Sequence, residues 1–216
     1  MNLIMFGSPG AGKGTQSNMI INDFDLKQIS TGDLLRNEIK LQTNIGKKVE
    51  SIISSGGLVS DDIVNSLIEN NISYHNNFKG LIFDGYPRTI PQVYSLEKSL
   101  KKFNQKISLV ISLTIERNVI LKRINGRIIC TKCTKIFNIY FNPPNSKNHK
   151  CEKKYLKNRP DDNSKTILNR LETYVIKSKP VLNYYKKRGS LFEMNGNQKI
   201  DEIYNKIKGI LNNIRD

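Results

Sequence analysis

Nine residues near the start of the chain, Gly7-Ser8-Pro9-Gly10-Ala11-Gly12-Lys13-Gly14-Thr15, constrain its fold more than any other stretch. They follow the apolar run Leu3-Ile4-Met5-Phe6 and precede Gln16-Ser17-Asn18-Met19-Ile20-Ile21, so they join a short strand to a helix. Glycines there let backbone N–H groups approach an anion with no Cβ in the way, and the helix offers its positive end to the same anion. Lys13 can reach outer phosphates as a point charge. Strand, glycine-rich loop, lysine and helix is the order a phosphate cradle requires. In the strict pattern Ser or Thr follows the lysine directly. Here Gly14 intervenes and the hydroxyl belongs to Thr15.

Further apolar runs at Leu26–Ser30, Leu81–Phe83, Leu109–Leu113 and Leu191–Met194 are short and nearly continuous. Strands buried on both faces of a parallel sheet read this way. Helical patterns separate them. Residues 60–73 open on Ser60-Asp61-Asp62 as a cap and carry Ile63, Val64, Leu67 and Ile68 at helical spacing. Residues 116–125, 163–187 and 199–213 also read as helices. In the second of these, Ile167, Leu171, Tyr174, Val175, Leu182 and Tyr185 fall near one face, and Pro180 predicts a kink. The alternation implies a three-layer, doubly wound α/β fold with a five-stranded parallel sheet. Two stretches break the rhythm: residues 31–59 are purely helical, and residues 128–160, with the alternation Lys135–Phe141, suggest a small β unit. Both look like insertions at strand ends, where open parallel sheets bind ligands.

The 216 residues fit one core with insertions. No apolar run approaches the ~18 residues of a membrane span. The N-terminus lacks a basic n-region and a long h-region, so no secretory signal is expected, and a strand starting at residue 2 would leave no room for a removable leader. Three cysteines, two as Cys130-x-x-Cys133, suggest metal chemistry in a reducing compartment rather than a disulfide framework, so the cytoplasm is expected. The formal charge of +16 is spread without a clean basic block, which favours a solvated surface with modest attraction for small polyanions over a nucleic-acid surface.

Leu81-Ile82-Phe83-Asp84 is a buried strand ending in a carboxylate. Beside a phosphate loop that position holds the Mg²⁺ shell; in isolation it could equally be a helix cap or turn former. Gly85-Tyr86-Pro87-Arg88 follows at once, with Arg88 as a phosphate clamp. Arg123 and Arg127 are four apart, and both would project from one helical face if the helix continued to Gly126. Arg36, Arg159 and Arg170 complete a set of spaced cations of the kind phosphoryl transfer needs. No nucleophile–base pair is evident, and His75 and His149 have no partner evident from sequence. Cys130, Cys133 and Cys151 form three-quarters of a ribbon-type Zn²⁺ site. The expected fourth position is Lys154, with His149 or Glu152 as substitutes; without a fourth ligand the unit would hold by apolar packing.

These segments together resemble the adenylate kinase family, long-lid bacterial type, over essentially the whole chain. The matching stretches are Gly7–Thr15, Ile29–Arg36, Asp84–Thr89 with Gln92, Arg123-x-x-x-Arg127, and Arg159-Pro160-Asp161-Asp162 with Arg170. Gly-Lys-Gly-Thr is this family's form of the loop, which accounts for Gly14. The resemblance implies an ATP:AMP phosphotransferase giving two ADP, with Mg²⁺. It assigns Gly10, Ala11, Gly12, Lys13, Gly14, Thr15, Arg123, Arg127, Ile136, Phe137 and Gln198 to ATP. It assigns Thr31, Arg36, Gly57, Leu58, Val59, Gly85, Tyr86, Pro87, Arg88, Gln92, Arg159 and Arg170 to AMP, with Gln92 reading adenine. Lys13, Arg88, Arg123, Arg159 and Arg170 would act in catalysis, and Asp84 would serve the Mg²⁺ shell. Asp161 and Asp162 would hinge the lid.

By the same resemblance, residues 30–59 form the AMP-binding domain and 126–162 the lid. Residues 1–29, 60–125 and 163–216 form the core. The cysteines sit where zinc-bearing members have theirs. The expected state is a monomer without nucleic-acid or membrane partners. A kinase for another nucleoside monophosphate is the nearest rival. A regulatory GTPase lacks support because no Asn-Lys-x-Asp stretch occurs, and a basic zinc-ribbon module would leave the loop, Asp84 and the arginines unexplained.

Overall fold

The computed structural model, which describes residues 1–159 and 162–215, pairs the five apolar runs into one parallel sheet. Strand β1 (Asn2–Gly7) leads into α1 (Lys13–Phe24), β2 (Lys27–Ser30), the pair α2 (Thr31–Lys40) and α3 (Asn44–Ser55), and α4 (Asp61–Tyr74). Next come β3 (Leu81–Asp84), α5 (Ile90–Lys101), β4 (Ile107–Thr114) and α6 (Arg117–Asn125). An antiparallel unit of β5 (Arg127–Cys130), β6 (Ile136–Asn138) and β7 (Leu156–Lys157) follows, then α7 (Ser164–Lys187), β8 (Leu191–Asn195) and α8 (Ile200–Arg215). The small sheet has the order β6-β5-β7.

The large sheet runs β2-β3-β1-β4-β8, every pair parallel. From β1 the chain moves outward to β2, returns to β3, then crosses to β4 on the other side of β1. This reversal opens a crevice at the C-terminal end of β1, where ligands bind in such sheets. Alternate strand residues face opposite layers. Ile4, Phe6, Phe83 and Val110 pack with residues of α4, α5 and α7, while Leu3, Met5, Ile82 and Ile111 pack with α1 and α8. Burial on both faces explains why the strands read as continuous apolar runs.

Four local expectations are corrected. Helix α6 ends at Asn125, with Gly126 at its C-cap, so Arg127 begins β5 instead of sharing a helical face with Arg123. Of the alternating Lys135–Phe141 stretch, only Ile136–Asn138 is strand; Asn138 Oδ1 accepts from the N–H groups of Tyr140 at 2.9 Å and Phe141 at 3.2 Å and turns the chain. Helix α7 includes Pro180, as the reading of 163–187 as one helix has it, but Val175 on it is 63% exposed where an apolar face was expected. Its buried residues change partners along the helix: Ile167 packs on Ile120 and Ile124 of α6, whereas Val181 and Tyr185 join the main core. Ser60 precedes α4 as expected, but its side chain makes no capping bond; Asp61 and Asp62 supply negative charge in the first turn.

At the opposite end of the sheet, Asn2 ties three segments together. Its Oδ1 accepts from Leu81 N at 2.9 Å, and its Nδ2 donates to Gln105 Oε1 and Lys106 O, each at 3.1 Å. Asn2 is 3% exposed. Replacing it by alanine leaves the buried Leu81 N–H unpaired, and Asn2→Ala is expected to cost about 1–3 kcal/mol. Urea unfolding should show a lower midpoint with an unchanged slope.

Candidate active site

The loop after β1 folds tightly because its glycines take conformations other residues avoid. Gly12 is the N-cap of α1 with φ +97°, and the loop closes with Ala11 N donating to Ser8 O at 3.1 Å. Lys13, Gly14 and Thr15 are the first residues of α1, where N–H groups have no intrahelical acceptor and remain available to an anion. Lys13 Nζ donates to Gly7 O at 2.9 Å and Ser8 O at 3.3 Å, so its ammonium rests on the loop it follows. A Cβ at Gly14 would come within 3.1 Å of Ile136 Cδ1 from the small sheet. A side chain at that position would press on this flexible end, which would have to give by a few tenths of an ångström.

Asp84 ends β3 beside this loop, paired in register with Met5 and Ser30. Its Oδ2 accepts from Gln28 Nε2 at 3.2 Å. The next residue, Gly85, has φ +77°, and a Cβ there would meet Thr31 Oγ1 at 2.9 Å and Arg88 NH2 at 3.1 Å. Its carbonyl accepts from Thr31 Oγ1 at 3.0 Å and Arg88 Nε at 2.8 Å, fastening the β3 end to the start of α2. The Tyr86–Pro87 peptide bond is cis. Gln92 is 3% exposed in the first turn of α5. Its Oε1 accepts from Arg88 N at 2.6 Å and its Nε2 donates to Asp61 Oδ1 at 2.7 Å.

Every residue expected to meet ATP or AMP, and Asp84, lines one cavity of about 790 Å³. That size is typical of ligand clefts. The cations are close enough to raise one another's energy. Burial lowers the Lys13 pKa to about 8 despite Asp84, with Arg88, Arg127 and Arg159 adding repulsion. Burial likewise pushes Arg88 below the usual guanidinium value; Asp84 opposes this, and Arg170 and Arg36 reinforce it. Asp162, whose side chain is 4% exposed, holds Arg127 in a two-point ion pair, with Nε at 2.7 Å from Oδ2, and stands 3.9 Å from Arg170 NH1. Arg123 NH2 donates to Gly196 O at 2.8 Å, and the Phe141 ring lies 5.5 Å from its guanidinium carbon. Pro160 and Asp161, named for the phosphate motif and the hinge, lie outside the described residues.

The three cysteines also come together. Ligand atoms of Cys130, Cys133, Cys151 and His149 all lie within 4.8 Å of one another. His149 therefore has the partners that the sequence did not reveal, and its ring packs edge-on against Phe137. Its Nε2 is buried and makes no hydrogen bond among the described residues. Glu152 instead pairs with Lys154 at 2.9 Å. Three sulfurs and one imidazole are a tetrahedral Zn²⁺ donor set.

Sequence reasoning missed Asp61 as the partner of Gln92, Gln28 as the partner of Asp84, and Phe141 over Arg123. Asp61 stood at a helix start, where acidic residues are ordinary, and the other two contacts join segments distant in sequence. Only the fold brings them together.

A phosphate loop, an acidic strand end, converging arginines and two insertions over a single cleft define a P-loop phosphotransferase. The adenylate kinase family model matches residues 5–190. An adenylate kinase of Pelagibacter ubique (strain HTCC1062) is 44% identical over 211 residues, covering 98% of this chain and 99% of the relative. Those of Bacillus cytotoxicus, at 38%, and Enterococcus faecalis, at 37%, cover 94% and 98% of this chain and 95% and 99% of their own lengths. The chain belongs to the adenylate kinase family.

The Lys13 environment has a consequence for pH. The pKa of about 8 lies below the ordinary lysine value of 10.5, so the unfolded chain holds this proton more tightly. The cost of burying the charge is therefore full below pH 8 and fades as pH rises to 10.5. A bound polyphosphate favours the charged form and reverses the shift. Calorimetric titration with Mg·ATP at pH 8.5, in buffers of different ionisation enthalpy, is expected to show net proton uptake. Lys13→Arg should abolish that uptake.

Proposed function

We propose that this protein catalyses reversible, Mg²⁺-dependent transfer of the γ-phosphoryl group of ATP to AMP, giving two ADP. The convergence of the loop, Asp84, Thr31, Arg88, Gln92 and the arginines on one cavity carries this reading. The triphosphate lies on the residue 10–15 loop and the start of α1, and Lys13 exchanges the carbonyls of Gly7 and Ser8 for phosphate oxygens. Arg123, Arg127, Ile136, Phe137 and Gln198 border the donor. Thr31, Arg36, Gly57–Val59, Gly85–Arg88 and Gln92 border the acceptor, whose phosphate Arg88 orients. Arg159 and Arg170 span the transferred group.

An oxygen of the AMP phosphate attacks the γ-phosphorus in line, and the bond to the β–γ bridging oxygen breaks. The electron pair leaves with the β-phosphate. The attacking oxygen is already ionised, so no general base is required, in keeping with the lack of a nucleophile–base pair in the sequence. The arginines stabilise charge spread over the equatorial oxygens. Thr15 and Asp84 are hard oxygen donors suited to Mg²⁺, which when bound would offset charge on the phosphates. Residues 30–59 and 126–162 act as two closing domains that exclude water as a competing acceptor.

No helix among the described residues is long and apolar enough to cross a membrane. We place the enzyme in the cytoplasm as a monomer, which suits its three free thiols. We further assign Cys130, Cys133, Cys151 and His149 to a structural Zn²⁺ that braces the small sheet; the buried, unpaired His149 Nε2 supports this ligand set.

Incubation with Mg·ATP and each of AMP, CMP, UMP and GMP, with product nucleotides quantified, tests the reaction. Failure to form ADP in an AMP-dependent manner overturns it. Lys13→Ala and Arg88→Ala are each expected to lower turnover about 10²-fold or more while the fold survives, as judged by circular dichroism. For the metal, elemental analysis should find one zinc per chain, and His149→Ala should lower both zinc content and melting temperature. Equal zinc retention in that variant would remove His149 from the ligand set.

A further inference from the structure

The Gln92 carboxamide is held at both ends by groups of fixed hydrogen-bonding character. Its Oε1 faces the Arg88 backbone N–H at 2.6 Å, which can only donate. Its Nε2 faces Asp61 Oδ1 at 2.7 Å, and a carboxylate can only accept. Rotating the amide by half a turn would set oxygen against oxygen and N–H against N–H, removing two hydrogen bonds and creating two repulsive contacts. Asp61 is itself fixed. It is the first residue of α4, and its Oδ2 accepts from Thr89 Oγ1 at 2.9 Å. Thr89 in turn caps α5 through the N–H of Gln92 at 3.3 Å. The carboxylate is thus bound to the helix that carries the glutamine as well as to the glutamine's side chain.

After these two bonds the carboxamide keeps one N–H and one oxygen lone pair, and the side chain lines the cavity. A 6-aminopurine offers the complementary pair: an exocyclic N–H donor beside a ring-nitrogen acceptor. A 6-oxopurine reverses both, with an oxygen acceptor beside a ring N–H. It would need the flipped amide that Asp61 and Arg88 forbid. The backbone half of this lock cannot be removed by substitution, whereas the Asp61 half can.

We propose that Asp61, by fixing which way the Gln92 carboxamide points, sets the discrimination of this site for 6-aminopurine over 6-oxopurine monophosphates. The inference rests on the reading of the acceptor site given above. Asp61 is a positioning residue, acting through Gln92 without touching the substrate. Asn at position 61 keeps the shape but can present either a donor or an acceptor, so the second orientation of the Gln92 amide is then opposed by the Arg88 N–H alone and becomes more accessible.

The test compares AMP with IMP, which differ only at this edge of the base, at saturating Mg·ATP. In Asp61→Asn the ratio of kcat/KM for AMP to that for IMP is expected to fall about tenfold or more, because a site built to hydrogen-bond discriminates through its unpaired groups. KM for AMP should rise, while kcat with AMP and KM for ATP stay within about twofold. Thr89→Val, which removes the second anchor of Asp61, should shift the ratio in the same direction by less, and supplies the comparison if Asp61→Asn is unstable. Equal losses for AMP and IMP, or an unchanged ratio, overturn the inference. A wild-type enzyme that phosphorylates IMP as readily as AMP overturns the inference but not the phosphotransfer reading. Absence of AMP-dependent turnover in the wild type overturns both.

Discussion

Repulsion among cations gathered at the ends of β1 and β3 is the constraint that the rest of the structure must contain. Lys13, Arg36, Arg88, Arg127, Arg159 and Arg170 all line one cleft, and the charged forms of Lys13 and Arg88 are disfavoured by burial first and by their cationic neighbours as well. Three acidic residues offset them, one of them Asp33, which pairs with Arg36 at 2.6 Å. Asp84 stands between Lys13 and Arg88, and Asp162 engages Arg127 with Arg170 nearby. These carboxylates do not balance the cations that line the cleft. The surplus is a site organised for a polyanion before one arrives, which is the form electrostatic preorganisation takes in phosphoryl transfer.

The strand order makes this gathering feasible. Placing β1 between β3 and β4 brings the glycine loop and Asp84 to adjacent strand ends, and the helical insertion after β2 leaves from the same edge. The remaining cations arrive from α2, α6, the small sheet and α7. Several are anchored by local contacts of their own: Arg36 on Asp33, Arg123 on the Gly196 carbonyl and under Phe141, and Arg127 on Asp162. The rigid sheet supplies the centre, and separately fastened side chains supply the rim.

What was legible in the sequence follows from how local each feature is. The strands were readable because burial on both faces leaves continuous apolar runs, and the loop because glycine and lysine spacing encodes its geometry directly. Family resemblance located the arginines. The end of α6 was legible, but the strand that Arg127 begins straight after it was not, because the four-residue spacing from Arg123 suits a continued helix equally well. Nor was the exposure of Val175, because α7 packs against α6 at one end and the main core at the other, and no single apolar face serves both. The His149 partnership required the small sheet to fold residues 130 and 149 together; spacing alone left it level with Glu152.

A cleft built on surplus charge attracts any nucleotide, since every nucleotide carries phosphate. Charge therefore cannot select the base, and selection has to come from neutral, directional groups held where water cannot substitute for the ligand. Gln92 meets that requirement: it is buried, its amide is uncharged, and both of its ends are fixed by the protein. An unfixed amide would present either polarity at the cost of a bond rotation and would accept both kinds of purine edge. The two acidic roles in the cleft are thus different in kind. Asp84 moderates the field of the cations, whereas Asp61, held by Thr89, directs its charge at the neutral Gln92 amide and gives direction to a group that alone has none.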